Sequence, residues 1–196
     1  MKSTPDPAGA LQASAARQLA ALGIGPIVHE VITSDVATWT VMDQVQPGTR
    51  AAGSSSLDEL ASLLRPLMAG PPMGRAFPPI SAWLRQRLLD GGLADLPPGA
   101  APVSQSERER ALSTLGDLVV DESRSLCHGD PSDGNVLRGS HGLQLVDPRG
   151  ASGDVEYDAA VLALKAGQQI VDLARRIPLD VARAEAWGSV AIAAKV

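Results

Sequence analysis

The sequence contains only one cysteine among its 196 residues, so no disulfide can form within the chain. A lone thiol suits a reducing compartment, and no apolar run approaches the ~20 residues needed to cross a bilayer. Basic residues are also few: 17 Lys and Arg stand against 22 Asp and Glu, a formal net charge of −5. That balance argues against a duplex nucleic-acid binder, which would carry a basic surface. We therefore expect a cytoplasmic protein without nucleic-acid or membrane partners.

The composition is otherwise that of a folded globular protein, with 44% hydrophobic and 20% charged residues. The length allows one well-packed core, or one domain with an incomplete second one. The mild acidity would suit a cationic small substrate, although many cytosolic proteins are equally acidic.

The N-terminal part of the sequence alternates between helix and strand signals. Prolines interrupt residues 1–9, which are expected to form a frayed leader. Apolar side chains at helical spacing predict a helix over 10–22. The β-rich segments 27–32 and 39–45 predict a hairpin, and the Pro-Gly-Thr run at 47–49 would break its second strand.

The remainder of the sequence is mainly helical by pattern. Amphipathic periodicity predicts helices over 57–68, 80–89, 104–120, 157–176 and 180–195, with short strands at 125–128 and 143–147. Ser104 and Glu107 have the spacing of a capping box, and a serine-rich loop precedes the helix at 57–68. The Pro- and Gly-rich segments 70–79 and 91–102 are expected to be loops within one helical domain.

One stretch carries most of the functional information: LCHGDPSDGNVL at 126–137, followed by LVDPRG at 145–150. It contains Asp130, then Asn135 five residues later, then Asp147 twelve residues beyond. Phosphoryl transfer from ATP needs a carboxylate to orient and deprotonate a hydroxyl, and an amide and a carboxylate to hold Mg²⁺ on the phosphates. Protein kinases use the same residue types in these roles. The spacing therefore indicates a kinase-type catalytic loop.

Each of the three residues also has a structural interpretation. Asp130 precedes a proline and could form a turn, Asn135 follows a glycine, and Asp147 ends a strand before a proline. Taken singly, these turn interpretations are credible. Three unrelated turns would not be expected to share the spacing of a kinase catalytic loop, so we favour the catalytic interpretation.

The run HGDPSDGNVL…LVDPRGASGDVEYDAA resembles the antibiotic-kinase family, the aminoglycoside phosphotransferases with kinase-like folds. The Asp-Pro-Arg-Gly-x-x-Gly-Asp-x-x-Tyr-Asp pattern is most similar to the streptomycin and hydroxyurea phosphotransferase branch. The specific match covers about residues 126–160, and a looser resemblance extends upstream through 25–26, 39–43 and 47–49.

The resemblance implies an α+β, protein-kinase-like fold, most of which is the helical large lobe with a partial small lobe. Residues 1–46 would form the partial small lobe, with a helix, a hairpin and the hinge, and residues 47–196 the large lobe with the catalytic loop. The implied cofactors are ATP and Mg²⁺, and the implied substrate is a small molecule with a hydroxyl acceptor, such as a streptomycin-like aminoglycoside or hydroxyurea.

The resemblance also implies roles for individual residues. Asp130 would be the catalytic base, and Asn135 and Asp147 would bind Mg²⁺. The hinge would contact adenine through backbone groups of Val41, Met42, Asp43 and Gln44.

Neighbouring residues are expected to support this site. His128 is expected to pack under the catalytic loop as a neutral side chain, and Asp158 to brace the loop backbone. Cys127 lies in an apolar strand and is expected to be a core residue. By the resemblance, the loop that carries Arg149, Asp154 and Glu156 would help to form the substrate-side wall. Its acids could contact a cationic group of the substrate, but solvated loop charges are the default interpretation.

The sequence departs from the family pattern near its start. No Gly-x-Gly-x-x-Gly motif precedes residue 42, and Lys2, in the expected leader, is the sole lysine upstream of that point. The helix at 10–22 has no glutamate to pair with a strand lysine, so Gln12 or Gln18 is the nearest polar substitute. We therefore expect an N-terminally truncated member that lacks the ATP clamp and transfers phosphate poorly by itself.

Two other interpretations remain open. The chain could be a non-catalytic, kinase-like remnant that binds a small molecule or a partner protein. A partner chain could also complete the small-lobe sheet, because an open sheet edge favours pairing with another strand.

Overall fold

The computed structural model describes residues 2–5, 8–70, 73, 77–91, 101–122 and 125–196. The helices are α1 Ala8–Ala21, α2 Leu57–Met68, α3 Ile80–Asp90, α4 Gln105–Leu118, α5 Val155–Ala166, α6 Ile170–Arg176 and α7 Val181–Ala193. The strands are β1 Lys2–Pro5, β2 Val28–Thr33, β3 Ala37–Met42, β4 Pro47–Arg50, β5 Ser125–Cys127, β6 Val136–Gly139, β7 Gly142–Leu145 and β8 Ala151–Gly153.

The first sheet has the strand order β1-β3-β2 and is antiparallel throughout. The predicted hairpin is confirmed as the β2–β3 pair, whereas the prediction of a frayed leader over residues 1–9 is wrong. Residues 2–5 form β1, and Lys2 lies opposite Thr40 of β3. This strand depends on pairing with a segment more than 30 residues away, so a four-residue, Pro-containing stretch gives little local signal.

The second sheet has the order β4-β6-β7 and contains a strand that the sequence analysis did not predict. Strand β3 ends at Met42, before the segment at 47–49, but Pro47–Arg50 is itself an edge strand that pairs with β6, with a register shift between Pro47 and Thr49. An edge strand tolerates proline because one side of its backbone needs no partner. Strands β5 and β8, on either side of the catalytic segment, form a separate antiparallel pair.

The helical region is built around fully buried leucines. Helix α2 begins at a capping box formed by Ser56 and Glu59, and α4 at one formed by Ser104 and Glu107, as predicted for the second pair. The apolar stripe of α2 lies in the main core with 0–3% exposure: Leu60, Leu63, Leu64 and Leu67. A second core joins α3, α4, α5 and α7 around Tyr157 and Trp187, whose rings meet edge to face.

The long helix predicted over 157–176 is wrong, because two helices occupy that range. Gly167 adopts a left-handed conformation with φ +68°, and its N–H closes the end of α5. Helix α6 begins three residues later, at Ile170. The apolar pattern continues across the break because both helices bury residues in the same core.

The two predicted Pro- and Gly-rich loops fall mostly outside the described residues, in 71–72, 74–76 and 92–100. Across the ranges that the structure describes, no helix has the length and apolar character needed to cross a membrane.

Candidate active site

Asp158 anchors the segment between β5 and β6 to helix α5. Its carboxylate is fully buried and accepts the backbone N–H of His128 at 2.7 Å and of Gly129 at 2.9 Å. Burial raises the pKa of Asp158 to about 6, and the two backbone hydrogen bonds oppose that rise. The bracing position expected for Asp158 is confirmed by these contacts.

His128 supports the same loop from beneath. It is fully buried, its Nε2 lies 2.9 Å from the carbonyl oxygen of Val146, and its Nδ1 lies 3.3 Å from the backbone nitrogen of Asp130. A carbonyl only accepts, so Nε2 carries the proton and Nδ1 accepts the Asp130 N–H. Burial lowers the pKa of His128 to about 4, which keeps the ring neutral at pH 7. Its role is structural, as predicted.

Asp130 and Asn135 lie together in the loop that follows β5. Asn135 Nδ2 donates a 2.9 Å hydrogen bond to the backbone carbonyl of Asp130, and the Asp130 side chain is 27% exposed. The backbone of Asn135 also accepts the N–H of Val146 at 2.9 Å, next to Asp147. The fold therefore brings the three predicted residues of the motif into one neighbourhood.

Asp147 sits at the end of β7 in an unusual backbone conformation. Its φ of +64° is in the left-handed region that non-glycine residues seldom adopt, a feature that concentrates at functional sites. Its side chain is 48% exposed and forms an ion pair with the Lys2 ammonium.

Lys2 lies where sequence reasoning did not place it. It lies on β1 and donates a 2.7 Å hydrogen bond to Gln12 Oε1 on α1, in addition to its contact with Asp147. The prediction that a strand lysine is missing is therefore wrong, and its partner on the helix is Gln12, whereas kinases use a glutamate. The pairing of a lysine with a polar residue ten positions later, on the first helix, was the signal available in the sequence.

A pocket separates the first sheet from β7. It is lined by Lys2, Thr4, Gln12, Ala16, Pro26, Thr40, Met42, Leu145, Val146, Asp147 and Pro148. Of the four predicted hinge residues, Met42 lines this pocket. Val41 lies in β3, while Asp43 and Gln44 line an adjacent groove, and the Asp43 N–H already donates to the carbonyl of Ile27 at 2.9 Å.

The residues expected at the substrate-side wall have different environments. Asp154 is 3% exposed and accepts hydrogen bonds of 2.8 Å from Arg183 Nε and Trp187 Nε1, so its expected place at the wall is wrong. Arg149 instead faces the catalytic loop, with contacts to Gly129 and Asp130. Glu156 is half-buried in the first turn of α5, and its role stays a prediction.

The donor set suits Mg²⁺ held chiefly by a nucleotide. The amide nitrogen of Asn135 is engaged, which leaves its oxygen as the ligand atom, and the Asp147 carboxylate is half-exposed. Within the described ranges, no group of three or more His, Cys, Asp or Glu side chains could hold a metal by itself. Mg²⁺ keeps several waters and needs only one or two protein ligands beside substrate phosphates, so the pair fits.

Comparison with protein-family models decides the family. The model described as the phosphotransferase enzyme family matches residues 4–194. The chain belongs to that family. The predicted recognition of a kinase-like phosphotransferase is confirmed at this level, and no match is found among curated proteins.

Solved structures of similar proteins agree on the fold. A choline/ethanolamine kinase family protein from Mesorhizobium loti superposes with a TM-score of 0.59 at 20% identity, covering 86% of this chain and 59% of that one. Aminoglycoside phosphotransferase APH(3'')-Id from Streptomyces rimosus, solved with ADP and streptomycin, gives 0.65 at 16% identity, covering 96% and 84%. Choline kinase LicA from Streptococcus pneumoniae gives 0.64 at 14% identity, covering 95% and 72%.

These likenesses confirm the predicted α+β, kinase-like fold. The chain spans 59% of the Mesorhizobium loti protein and larger shares of the other two.

Proposed function

We propose that this protein transfers the γ-phosphoryl group of ATP to a hydroxyl group of a small molecule. The observation that carries the proposal is the series of contacts joining Asp130 to Asn135, Asn135 to the end of β7, and Asp147 to Lys2. Membership of the phosphotransferase family supports the same reaction. A base, two oxygen ligands and a phosphate-binding cation are the parts that the reaction needs.

In this reaction Asp130 orients the acceptor hydroxyl and takes its proton. The acceptor oxygen bonds to the γ-phosphorus as the bond between that phosphorus and the β,γ-bridging oxygen breaks, and ADP leaves. Lys2 binds the nucleotide phosphates from β1. Mg²⁺, held by Asn135 and Asp147, would neutralise charge on the phosphates.

Adenine would bind beside the segment that leaves β3, through backbone groups of Val41, Met42, Asp43 and Gln44. The position of Met42 in the pocket supports this placement, and the N–H of Asp43 would not take part because Ile27 already accepts it. We place the boundary between a small lobe, 1–46, and a large lobe, 47–196, at β4. That strand pairs with β6 of the second sheet, which supports the division.

The acceptor that we propose is a streptomycin-like aminoglycoside, with hydroxyurea as the second candidate. The Asp-Pro-Arg-Gly pattern at 147–150 supports this class, and one structural relative was solved with streptomycin. Another relative is a choline kinase, so choline belongs in the same test. Streptomycin and choline are both hydroxyl compounds with a positive charge, which agrees with the net charge of −5.

The second candidate function is a non-catalytic remnant that binds a small molecule or a partner protein. The neutral Gln12 beside Lys2 favours it, because a kinase lysine ordinarily pairs with a glutamate. The retention of Lys2, Asp130, Asn135 and Asp147 together favours the enzyme, since a remnant has no need of all four.

The test is to incubate the protein with MgATP and streptomycin, hydroxyurea or choline, and to detect phosphorylated product by mass spectrometry. We expect transfer to one acceptor, and its loss in Asp130→Asn with MgADP affinity kept, because Asp130 contacts the acceptor and not the nucleotide. Binding of MgADP without any modified product would favour the remnant. An active Asp130→Asn variant would remove the assignment of the base.

A further inference from the structure

The guanidinium group of Arg149 lies over an aromatic ring that the proposed reaction does not use. Its Cζ is 4.0 Å from the centroid of the Trp83 ring on α3. A cation at this distance is attracted by the ring face. Trp83 is half-buried and is one of only three tryptophans in the chain.

The other side of Arg149 is bound to the catalytic loop at three points. Its Nε donates to the carbonyl of Gly129 at 3.2 Å, and its Nη2 lies 3.4 Å from Asp130 Oδ2. Its backbone N–H donates to the carbonyl of His128 at 2.9 Å. The guanidinium therefore connects the Trp83 ring with the carboxylate of the proposed base.

Gly129 leaves the space that Arg149 occupies. Its φ is +85°, and a Cβ atom there would lie 3.0 Å from Arg149 Cβ and 3.1 Å from Arg149 Cδ. Regulated protein kinases have an arginine at this point of the catalytic loop. Here the loop has no side chain at that point, and the stem of Arg149 packs against the backbone instead.

The start of α3 is held firmly against β8, so the Trp83 ring has a defined place. Ser152 donates from its backbone N–H to Pro78 at 3.0 Å and from its hydroxyl to Phe77 at 3.3 Å. The hydroxyl of Ser81 donates to the Glu122 carboxylate at 2.5 Å, which secures the first turn. Since β8 begins two residues after Arg149, the ring and the guanidinium belong to one rigid unit.

We propose that Trp83 is a positioning residue for Asp130 and acts through Arg149. The proposal rests on the proposed function, because it assumes that Asp130 meets the acceptor. A carboxylate that is 27% exposed has several rotamers available, and the fixed guanidinium selects one of them. Orientation is the main task of a base in phosphoryl transfer, so loss of the ring lowers turnover and not nucleotide binding.

The kinetic test compares Trp83→Leu with Trp83→Phe, which keeps an aromatic face. We expect kcat to fall about 10- to 100-fold in Trp83→Leu, with the KM for ATP within about twofold, and Trp83→Phe to recover most of the loss.

The matched control is Arg87→Ala. Arg87 is the other cation on the same ring, at 4.9 Å, but it binds the carbonyls of Ala194 and Lys195 and not the loop. We expect its kcat to stay within about twofold of the wild type.

A second measurement does not depend on turnover. In NMR spectra the Nε–H of Arg149 should show the upfield shift of a proton near a ring face and slow exchange with water. Both should be lost in Trp83→Leu and kept in Arg87→Ala. If the Arg149 signal is the same in Trp83→Leu and the wild type, or if kcat is unchanged, the proposal is wrong.

The two measurements also separate this proposal from the proposed function. A wild-type protein that phosphorylates no acceptor overturns the function, and the Arg149 signal then still decides whether Trp83 holds the guanidinium on the loop. Equal losses of kcat in Trp83→Leu, Trp83→Phe and Arg87→Ala would indicate general destabilisation and would also overturn the positioning role.

Discussion

The ammonium group of Lys2 donates to the amide oxygen of Gln12 on α1, at 2.7 Å, so its partner on that helix is a neutral amide and not a carboxylate. The same oxygen of Gln12 also accepts the hydroxyl of Thr4 at 3.2 Å. A neutral partner leaves Asp147 as the anion paired with Lys2, so the lysine and a proposed metal ligand are bound to each other. We therefore expect nucleotide and metal to compete with this ion pair when they bind.

Gln12→Glu should strengthen the binding of metal and nucleotide. A carboxylate on α1 would draw Lys2 away from Asp147 and free that carboxylate for Mg²⁺. Lys2 is 31% exposed, so the gain is that of a partly screened ion pair, up to about 1 kcal/mol or roughly fivefold in affinity. Titration calorimetry with MgADP measures the gain, and Gln18→Glu, about 1.7 turns further along α1, is the matched control. A weaker affinity in Gln12→Glu would contradict the proposed competition.

Lys2→Met should remove phosphoryl transfer while leaving the fold intact. Methionine keeps much of the apolar stem of the side chain but has no charge for the phosphates, and loss of one such electrostatic contact costs on the order of 10²-fold or more in kcat. Thermal unfolding followed by circular dichroism should give a free energy of unfolding within about 1 kcal/mol of the wild type, because Lys2 is a partly exposed strand residue. Full activity in Lys2→Met would show that β1 does not supply the phosphate-binding cation.

The parts of the site that could be predicted from the sequence are those set by local spacing. Asp130, Asn135 and Asp147 lie in the segments next to the consecutive short strands β5, β6 and β7, so the order of residues already places them together. The capping box of Ser104 and Glu107 is local in the same way.

Contacts between distant segments escaped prediction. Lys2 becomes a strand residue because it pairs with Thr40, and Asp154 is buried because Arg183 and Trp187 come from α7 to meet it. A loop carboxylate is ordinarily solvated, and nothing near Asp154 in the sequence marks it as an exception. The break at Gly167 was missed because apolar periodicity alone does not register a single left-handed residue.

Asp147→Asn should sharply weaken nucleotide binding that depends on Mg²⁺ or Mn²⁺. The substitution keeps the shape of the side chain but removes the negative charge that a hard cation prefers. Calorimetric titration with MgADP measures the loss, and Asp130→Asn should bind MgADP as the wild type does. Equal metal–nucleotide affinity in Asp147→Asn and the wild type would show that Asp147 is not a ligand.

The contribution of His128 to the stability of the protein should fall as the pH drops from 6.5 towards 4. Its folded-state pKa of about 4 is below its usual 6.5, so the unfolded chain binds the additional proton first. The contribution of His128 to the free energy of unfolding is fully present above pH 6.5. Below pH 6.5 it decreases by up to about 1.4 kcal/mol for each pH unit. Burial raises the pKa of Asp158 to about 6, which acts in the opposite direction between pH 6 and 4.

The variant that isolates the histidine is His128→Gln, whose amide can still donate to the Val146 carbonyl. Urea unfolding at pH 7, 6 and 5 should show a smaller pH-dependent loss in this variant than in the wild type. If the free energy of unfolding changes with pH by the same amount in the variant and the wild type, His128 does not contribute to the pH dependence of stability.

Gly150→Ala should displace α1 and weaken the site from a distance. Gly150 has φ +73°, and a Cβ there would lie 2.7 Å from the backbone carbon of Leu11 and 2.8 Å from the backbone nitrogen of Gln12. Alanine would therefore carry both the cost of a left-handed backbone and that of a clash with a helix backbone, about 2–5 kcal/mol together.

Gly167→Ala is the matched control: its φ is +68°, but a Cβ there meets nothing within 4 Å, so only the backbone cost of about 1–2 kcal/mol applies. Because α1 carries Gln12, MgADP affinity should fall in Gly150→Ala and stay unchanged in Gly167→Ala. Calorimetry measures the affinity, and urea unfolding of the same samples measures the loss of stability. Equal stability losses, with nucleotide affinity intact in both variants, would show that the loop after Asp147 does not hold α1 in place.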